Sequence, residues 1–500
     1  MLFSSMIFLW LFLPFVLIVN LILPHRISNW FLMAASFIFY AWGEQEYIWL
    51  LLVSLLVNFY GAHILGCVGS PAQSLGCLSQ SHVSQSHVSQ RHVSQRHVSQ
   101  NIRPFFFALL LAVNLGFLGY FKYFDFFTGL LGRLAGRELM APRNLLLPIG
   151  ISFYTFQMIS YIVDVYRGDI EPEKKLSHLA LYISFFPKMI QGPIVRYQGF
   201  GACIEARHVT PETFAYGARR FIYGLAKKLI LANQFGSIVD KVLSSPMEQI
   251  SGGLGWYIGV LYTLQIYYDF SGYSDMAVGI GKMLGFHIPE NFNYPYLARN
   301  VGEFWRRWHI SLSSWFKDYL YIPLGGSRRG RARTCVNLMA VFLCTGFWHG
   351  AGLSFLAWGI YYGCLQILER LFLKKFLDRF PGFFSSVISY IYMFFVTVVG
   401  WTMFRADSLT RGMTLLRQMF FLKPGIYDLS MFVTHKTTVC MMVGFLICGP
   451  VQKMLPGLAR HMLDEDSVSL TESMGLILLF AYSMAVAVGS TYNPFIYFRF

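Results

Sequence analysis

Two histidines lie in strongly apolar and aromatic sequence and are the residues best suited to chemistry. His309 ends the segment F-W-R-R-W-H, and His349 lies in F-W-H-G. An ionisable side chain at membrane depth needs a partner or a water-filled cavity, so each is a candidate for a functional site. Imidazole has an unperturbed pKa of about 6.5 and can accept a proton near neutral pH. On the residues alone, a proton-transfer role and a structural role, with the ring hydrogen bonded to a neighbouring helix, both remain open.

The residues around His309 add fixed charge and aromatic surface. Arg306 and Arg307 carry planar donor groups that suit a phosphate or a carboxylate. Trp305 and Trp308 suit a binding site, although tryptophans also collect at membrane interfaces. A continuous helix from Glu303 to Lys317 would place both tryptophans and His309 on one side, facing protein or a cavity.

A third group of polar residues interrupts a long apolar window in Y-Y-D-F-S-G-Y-S-D-M-A. Asp269 and Asp275 would each cost about 2.5 to 3.5 kcal/mol at the centre of a bilayer, so we expect them to bond to Arg, Lys, Tyr or backbone groups. A structural role is favoured slightly over direct catalysis for both. Ser271 and the buried-looking Lys188 of F-F-P-K-M-I-Q-G-P-I raise the same question and receive the same interpretation.

The elements that must position these residues are membrane helices. Hydrophobic residues make up 55% of the 500-residue chain, and charged residues only 13%, against about 25% in an average soluble domain. Windows long enough to span a bilayer recur from Leu2–Leu23 to Met474–Val488. The first window has no basic stretch or cleavage site and is expected to remain as a helix. We predict an all-α polytopic membrane protein with about ten to twelve crossings and additional short, re-entrant helices at three Pro/Gly-rich segments, 185–194, 287–296 and 321–330.

The formal charge of +15 is explained by membrane topology rather than by nucleic acid. Basic residues concentrate in short loops, above all between Arg299 and Arg333, and such an excess favours the cytoplasmic side. For Arg328 to Arg333, contact with anionic lipid headgroups is favoured over docking of an acidic partner or of a phosphate-bearing donor.

One segment departs from this pattern. From Ser79 to Gln100 the chain repeats S-H-V-S-Q and R-H-V-S-Q. A polar tract of this kind is unlikely to form a core, so we predict a mobile loop, with metal capture by its histidines as the minor alternative. The eight cysteines show no metal-ligand spacing and are interpreted as ordinary small apolar residues.

Several catalytic classes receive no support from the sequence. We find no nucleophile elbow, no phosphate-binding Walker loop, no dinucleotide fingerprint and no H-E-x-x-H zinc pattern. Hydride transfer, ATP chemistry and zinc chemistry are therefore not expected, and no permanently bound cofactor or metal is predicted.

Many phrases of the sequence resemble the membrane-bound O-acyltransferase superfamily, and within it the membrane subunit of bacterial alginate O-acetyltransferases. They span most of the chain and are specific in combination: L-P-I-G-I-S-F-Y-T-F-Q, S-F-F-P-K-M-I-Q-G-P-I-V-R, Y-Y-D-F-S-G-Y-S-D-M-A, N-F-N-Y-P-Y, F-W-R-R-W-H-I-S-L-S-S-W-F-K-D-Y-L-Y-I-P-L-G-G, F-W-H-G and P-F-I-Y-F-R-F. The 79–100 repeat matches nothing in that pattern.

The resemblance implies a single membrane domain over residues 1–500, with the catalytic core in 145–350 and helices around a central tunnel. It implies His349 as the general base and His309 as a second catalytic histidine on the donor side. The two histidines together with the resemblance reverse the structural interpretation of a lone buried histidine. The residues expected to bind substrate are Trp305, Arg306, Arg307, Trp308, Asn291, Tyr294, Trp348 and Lys317, and the supporting polar residues are Asp269, Ser271, Asp275 and Lys188.

The same resemblance implies the reactants and partners. The donor would be an acyl thioester, acetyl-CoA or an acyl carrier protein, on the cytoplasmic side of a bacterial inner membrane. The acceptor would be an extracytoplasmic polysaccharide such as alginate, reached through a periplasmic or extracellular acetyl-relay protein. Transfer of D-alanine or another acyl group to teichoic acid or another cell-envelope acceptor is the main alternative. A non-catalytic transporter is less favoured, because the chain shows no internal repeat.

Overall fold

The structure is a computed structural model, and it describes residues 1–69, 88–137, 140–141, 143, 145–377, 379, 381–457, 469–490 and 492–494. These residues form an all-α protein with no strand among them. Five of the described helical segments are long and apolar enough to cross a membrane: Gln45–Cys67, Ile102–Ala135, Gly382–Arg405, His435–Met454 and Leu470–Val488. The prediction of an all-α polytopic membrane protein is confirmed, whereas the larger number of crossings and the central tunnel stay predictions.

The chain divides into two compact units, and the first comprises Met1, Ile18–Ile190 and Ile194–Arg207. Within this unit α6 is the most deeply buried helix, because every side chain from Ile151 to Val165 is buried. The helices that begin in or before this unit are α1 (Leu13–Ile22), α2 (His25–Ala41), α3 (Ile48–Gly69), α4 (Val88–Leu118), α5 (Phe124–Ala135), α6 (Ile151–Arg167), α7 (Leu176–Ser184), α8 (Phe186–Met189) and α9 (Tyr197–Glu205).

The second unit comprises Leu2–Leu17, Gln191–Pro193 and His208–Phe500, and it contains both histidines. Short π-helical segments continue several of its helices, including Lys227–Ala232, Lys317–Tyr321 and Glu369–Leu373. Its α-helices are α10 (Pro211–Ala226), α11 (Asn233–Leu243), α12 (Gly252–Met283), α13 (Val301–Arg307), α14 (Ile310–Phe316), α15 (Arg331–His349), α16 (Leu353–Leu368), α17 (Lys374–Leu377), α18 (Gly382–Arg405), α19 (Leu409–Phe420), α20 (His435–Ile447), α21 (Pro450–Met454) and α22 (Leu470–Val488).

Helix α12 is the centre of the second unit. It packs against α10, α11, α18, α19 and α20, and 27 of its 32 residues are buried. Glycines let it approach α10 closely: a Cβ atom at Gly272 would lie 2.7 Å from the carbonyl oxygen of Gly224. Small residues at helix contacts of this kind replace the hydrophobic driving force that is weak inside a membrane.

Helices α15 and α16 form an antiparallel pair that carries His349 at its turn. The pair packs closely because a Cβ atom at Gly359 would lie 2.5 Å from the carbonyl oxygen of Phe342. Residues 350–352 join the two helices. His349, the last residue of α15, therefore lies where the start of α16 can contact it.

Two sequence predictions about local structure have outcomes here. Helices are interrupted in all three Pro/Gly-rich segments, as predicted. The repeat of residues 79–100 was predicted to be a loop, but the part from Val88 onward belongs to α4, while residues 79–87 lie outside the described residues. The reason is that this part contains no glycine or proline, and its Ser, Gln, Arg, His and Val residues are tolerated inside a helix.

Candidate active site

The backbone at His309 is strained and interrupts the helix that the sequence predicts. Helix α13 ends at Arg307, Trp308 is extended, and His309 adopts the left-handed region with φ 44° before α14 begins at Ile310. The N–H group of Ile310 donates to the carbonyl oxygen of Asn291 at 2.9 Å, instead of continuing the helical ladder. A non-glycine residue in this region persists only where its surroundings enforce it, and such residues collect at functional sites.

The loop that contains Asn291 also fixes the ring of His309. The Oδ1 atom of Asn291 accepts hydrogen bonds from the backbone N–H and the hydroxyl of Ser311, at 3.2 and 2.9 Å, and lies 3.1 Å from Nδ1 of His309. Because a backbone N–H can only donate, the amide oxygen must face Ser311, and Nδ1 of His309 must carry a proton to bond with it. The Nδ2 atom of Asn291 donates to Oγ of Ser274 at 3.3 Å.

This arrangement leaves Nε2 as the unprotonated, basic nitrogen of His309. The residue is fully buried, and no described residue hydrogen bonds to its Nε2 atom. Its ring meets Phe270 edge to face, with centroids 4.6 Å apart. His309 thus has a defined tautomer with its basic nitrogen in a protected environment.

His349 has a different, aromatic environment. The side chain is 5% exposed. Its ring stands nearly perpendicular to Trp358 and Phe404, with centroid separations of 5.2 and 5.0 Å. Edge-to-face packing of this kind holds a ring in one orientation, so α16 and α18 together position the imidazole at the end of α15.

Trp348 lies between the two histidines. The centroid of its indole is 6.2 Å from His309 and 4.9 Å from His349. The two imidazoles, separated by forty positions in the sequence, are therefore neighbours across a single ring. The structure brings together three residues that the sequence predicted for the site.

A wall of aromatic side chains continues from the histidines. Trp305 packs against Trp358 and Tyr362 at centroid distances of 5.6 and 5.1 Å, and Trp308 lies 4.7 Å from Trp401. The indole N–H groups of Trp305 and Trp358 and the hydroxyl of Tyr362 are buried and make no hydrogen bond with any described residue. Buried donors without an acceptor are suited to binding developing negative charge.

The predicted basic residues lie apart from the buried rings. Arg306 and Lys317 are exposed, and Arg307 forms an ion pair with Glu303 at 2.9 Å. They follow Trp305 and Phe316 directly, and successive residues of a helix point in different directions. These cations are placed to meet a soluble molecule at the surface of α13 and α14 rather than the imidazoles.

The two carboxylates of α12 are paired, as predicted. Asp269 forms an ion pair with Lys228, and Asp275 bonds to Arg220 and Lys227, each at 2.6 Å. Both pairs join α12 to α10 or to the π-helical segment that follows it. Their contacts favour the structural interpretation.

The remaining predicted residues contribute in different ways. Ser271 is buried with a hydroxyl that bonds to no described residue. Tyr294 has φ 46° and lies in the field of Arg220 and Asp275. Lys188 belongs to the first unit, where its ammonium donates to Gln157 at 2.6 Å and lies 3.9 Å above the ring of Tyr182.

Sequence reasoning missed Glu369. Its carboxylate is buried and accepts hydrogen bonds from the N–H groups of Val301 and Gly302, at 2.7 and 3.2 Å, and from the hydroxyl of Tyr392. A negative charge at a helix N-terminus is favourable, and here it anchors α13, which carries Trp305. The lone carboxylate inside the apolar window 353–373 was the signal that could have revealed it.

Comparison with known proteins places this site inside a recognised sequence pattern. The model of MBOAT, membrane-bound O-acyltransferase family, matches residues 174–409, which include both histidines. The chain is 34% identical to the probable alginate O-acetylase AlgI of Pseudomonas putida over the whole of both chains. It is 29% identical to the peptidoglycan O-acetyltransferase of Helicobacter pylori, over 100% of this chain and 98% of that protein. It is 30% identical to the teichoic acid D-alanyltransferase of Bacillus subtilis, over 47% of this chain and 61% of that protein.

Proposed function

The chain belongs to the membrane-bound O-acyltransferase family, and from that premise we propose that it is an O-acetyltransferase of a bacterial inner membrane. It takes an acetyl group from a thioester donor, acetyl-CoA or an acyl carrier protein, on the cytoplasmic side. The acceptor is a hydroxyl group of an extracytoplasmic, alginate-like polysaccharide, reached through a relay protein. Support comes from the full-length similarity to the alginate O-acetylase of Pseudomonas putida.

The observation that carries the proposal is the adjacency of the two buried imidazoles. His309 and His349 flank Trp348, with centroid distances of 6.2 and 4.9 Å. A purely structural histidine needs no second imidazole beside it. Two imidazoles next to unpaired indole N–H groups supply a base and donors for negative charge, which acyl transfer to an alcohol requires.

The proposed reaction uses His349 as the general base. As the acceptor oxygen attacks the thioester carbonyl carbon, a C–O bond forms and the hydroxyl proton moves to the imidazole. The oxyanion that develops is stabilised by N–H or O–H donors such as those of Trp305, Trp358 and Tyr362. Collapse of this intermediate breaks the C–S bond, and the imidazolium returns its proton to the departing thiolate.

In this proposal His309 serves the donor side. Its basic Nε2 atom, set by the bond from Nδ1 to Asn291, can orient or accept a proton near the thioester. The exposed Arg306 and Lys317 contact phosphate groups of the donor, because arginine and lysine both bind phosphate well.

Donor identity tests the proposal. Membranes containing the full chain and the native acceptor polymer are given a radiolabelled acetyl thioester, and polymer-bound label is measured before and after mild alkaline hydrolysis, which removes O-acetyl esters. Alkali-labile acetyl label on the polymer is the expected result. Membranes that contain a variant lacking both imidazoles, H309N with H349A, provide the background.

A second candidate is transfer of D-alanine, favoured by the 30% identity to the teichoic acid D-alanyltransferase of Bacillus subtilis. The same membranes given an aminoacylated carrier protein distinguish the two. Incorporation of alanine but not of acetyl label would replace the first proposal with the second. Flux of polymer without any acyl exchange would instead indicate a transporter.

A further inference from the structure

A large cavity in the second unit lies outside the site described above. Its volume is about 660 Å³, within the range of about 300 to 1,000 Å³ typical of ligand pockets. It is bounded by α12, by the 3₁₀ turn Pro295–Leu297, by α18, and by α20 and α21. Neither His309 nor His349 belongs to its wall.

The body of the cavity is apolar and opens towards hydrocarbon. Val260, Leu264 and Met393 line its interior. Phe394 and Leu446, which also line it, are 40% and 54% exposed. Because these two residues lie on the candidate spans Gly382–Arg405 and His435–Met454, their exposed surfaces face the acyl chains of a bilayer.

One end of the cavity is cationic. Lys453 donates a hydrogen bond to the hydroxyl of Tyr390 at 3.0 Å, and both residues line the cavity. The guanidinium of Arg299 lies 5.9 Å from the centroid of the Tyr390 ring. Among the described residues neither cation forms an ion pair with a carboxylate. Lys453 is next to the last residue of its candidate span, which is the level where a span of about 20 residues meets the headgroups.

We propose that this cavity binds an anionic phospholipid. One acyl chain occupies the apolar body, and the phosphate is held by Lys453, Arg299 and the hydroxyl of Tyr390. Basic pockets between membrane helices are suited to anionic headgroups, and an opening between two spans admits a molecule that is already in the bilayer.

The cavity is separated from the histidines by an aromatic layer, so the lipid is not a substrate of the proposed transfer. Tyr296 lines the cavity, and its hydroxyl donates to the carbonyl oxygen of Thr263. Its ring lies 6.2 Å from that of Trp308. A bound chain therefore supports, from the outside, the wall whose inner face carries Trp308.

Photolabelling tests the site directly. The purified full chain is placed in nanodiscs that contain either phosphatidylglycerol or phosphatidylcholine with a diazirine in one acyl chain, and labelled peptides are identified by mass spectrometry. Phosphatidylglycerol is expected to label the segment Met393–Thr397 more strongly than phosphatidylcholine. K453Q should lower labelling by phosphatidylglycerol about fivefold, the effect of one surface cation on anionic lipid, without changing that by phosphatidylcholine.

Two further variants make the result specific. T397W fills the cavity without changing its charge and should lower labelling by both lipids. K436Q removes a lysine that lines a different cavity and should change neither. Retention of labelling in K453Q, or equal labelling by the two lipids in the unchanged protein, would overturn the proposal.

Competition identifies the source of the phosphate. Soluble glycerophosphoglycerol, which has the headgroup without acyl chains, should not displace the lipid. Displacement by glycerophosphoglycerol would make the site one for a free phosphate ester. Displacement by acetyl-CoA would assign the cavity to the thioester donor, and either result would contradict a lipid site.

Discussion

The two histidines of the site are held by opposite means. His309 is fixed by hydrogen bonds: its Nδ1 atom meets Asn291, which also accepts from Ser311, and its backbone is left-handed. His349 ends a regular helix and is fixed by the faces and edges of Trp358 and Phe404. Only Trp348 touches both rings.

This difference has a chemical consequence. A hydrogen bond from Nδ1 selects one tautomer and one protonation pattern, whereas packing against aromatic rings selects an orientation and leaves both nitrogens chemically available. His309 is therefore suited to a constant role towards one reactant. His349 is suited to accepting a proton and returning it within one catalytic cycle, because neither its charge nor its tautomer is imposed by a neighbouring amide.

The largest effect is expected for the histidine held by packing. H349A should lower acyl transfer by about 10² to 10⁴-fold, the usual contribution of a general base. Polymer-bound acetyl label in membranes, divided by the amount of protein, measures it. H435Q is the matched control, because His435 is an exposed histidine outside the site. Full acetylation by H349A protein that is still present in the membrane would remove the base from the mechanism.

Replacing the other histidine tests the asymmetry. H309N removes the imidazole and keeps a residue that tolerates the left-handed backbone, whereas H309A adds strain at φ 44°. We expect H309N to lower transfer by about 10²-fold, the lower end of the range for acid–base groups, and to raise the KM for the donor. Unchanged rate and donor KM would make His309 a structural residue.

A third prediction separates the tautomer from the ring itself. N291L removes the acceptor of the Nδ1 proton and should lower transfer about tenfold, since one hydrogen bond to a functional group contributes about 0.5 to 1.5 kcal/mol. N291D keeps an acceptor but adds a carboxylate, which favours the charged imidazole. Because a base must be neutral to act, the acid side of the pH–rate profile of N291D should move to higher pH.

The profile also provides the contrast between the two histidines. A purely structural Asn291 would lower the rate of both variants without moving the pH dependence of either. The same result would show that His309 does not take part in proton transfer. S311A, which removes one donor to the same oxygen but leaves the Nδ1 bond, is the matched control and should keep the original profile.

The sequence predicted much of this arrangement, and its failures have a common cause. Composition and helix-breaking residues were sufficient for the all-α class, the interruptions near Pro/Gly and the pairing of Asp269 and Asp275. The break at His309 could not be predicted, because W-R-R-W-H-I-S contains no glycine or proline. It is imposed by distant backbone groups: Asn293 donates to the carbonyl oxygen of Arg307, and Ile310 donates to that of Asn291.

Glu369 illustrates the same limit. A carboxylate in an apolar window indicates a partner, but nothing in the sequence says that the partner is the N-terminus of α13, 68 positions away. Long-range pairing of this kind decides which residues surround the histidines. Trp358 and Trp401, which complete the aromatic wall, were missed for that reason.

The smallest expected effects lie on the exposed side of α13 and compare two adjacent cations. R306Q should raise the KM for a phosphate-bearing donor a few-fold at low salt, because Arg306 is exposed and its charge is available to a soluble ligand. R307Q should raise it less, because the charge of Arg307 is already paired with Glu303 at 2.9 Å. Both effects should shrink as salt is raised, since the Debye length falls from about 30 Å at 0.01 M to about 8 Å at 0.15 M. K423Q, an exposed lysine outside the basic segment 299–333, controls for net charge. A larger effect of R307Q than of R306Q, or an effect that does not depend on salt, would mean that the arginines act through the fold of α13 and not through the donor.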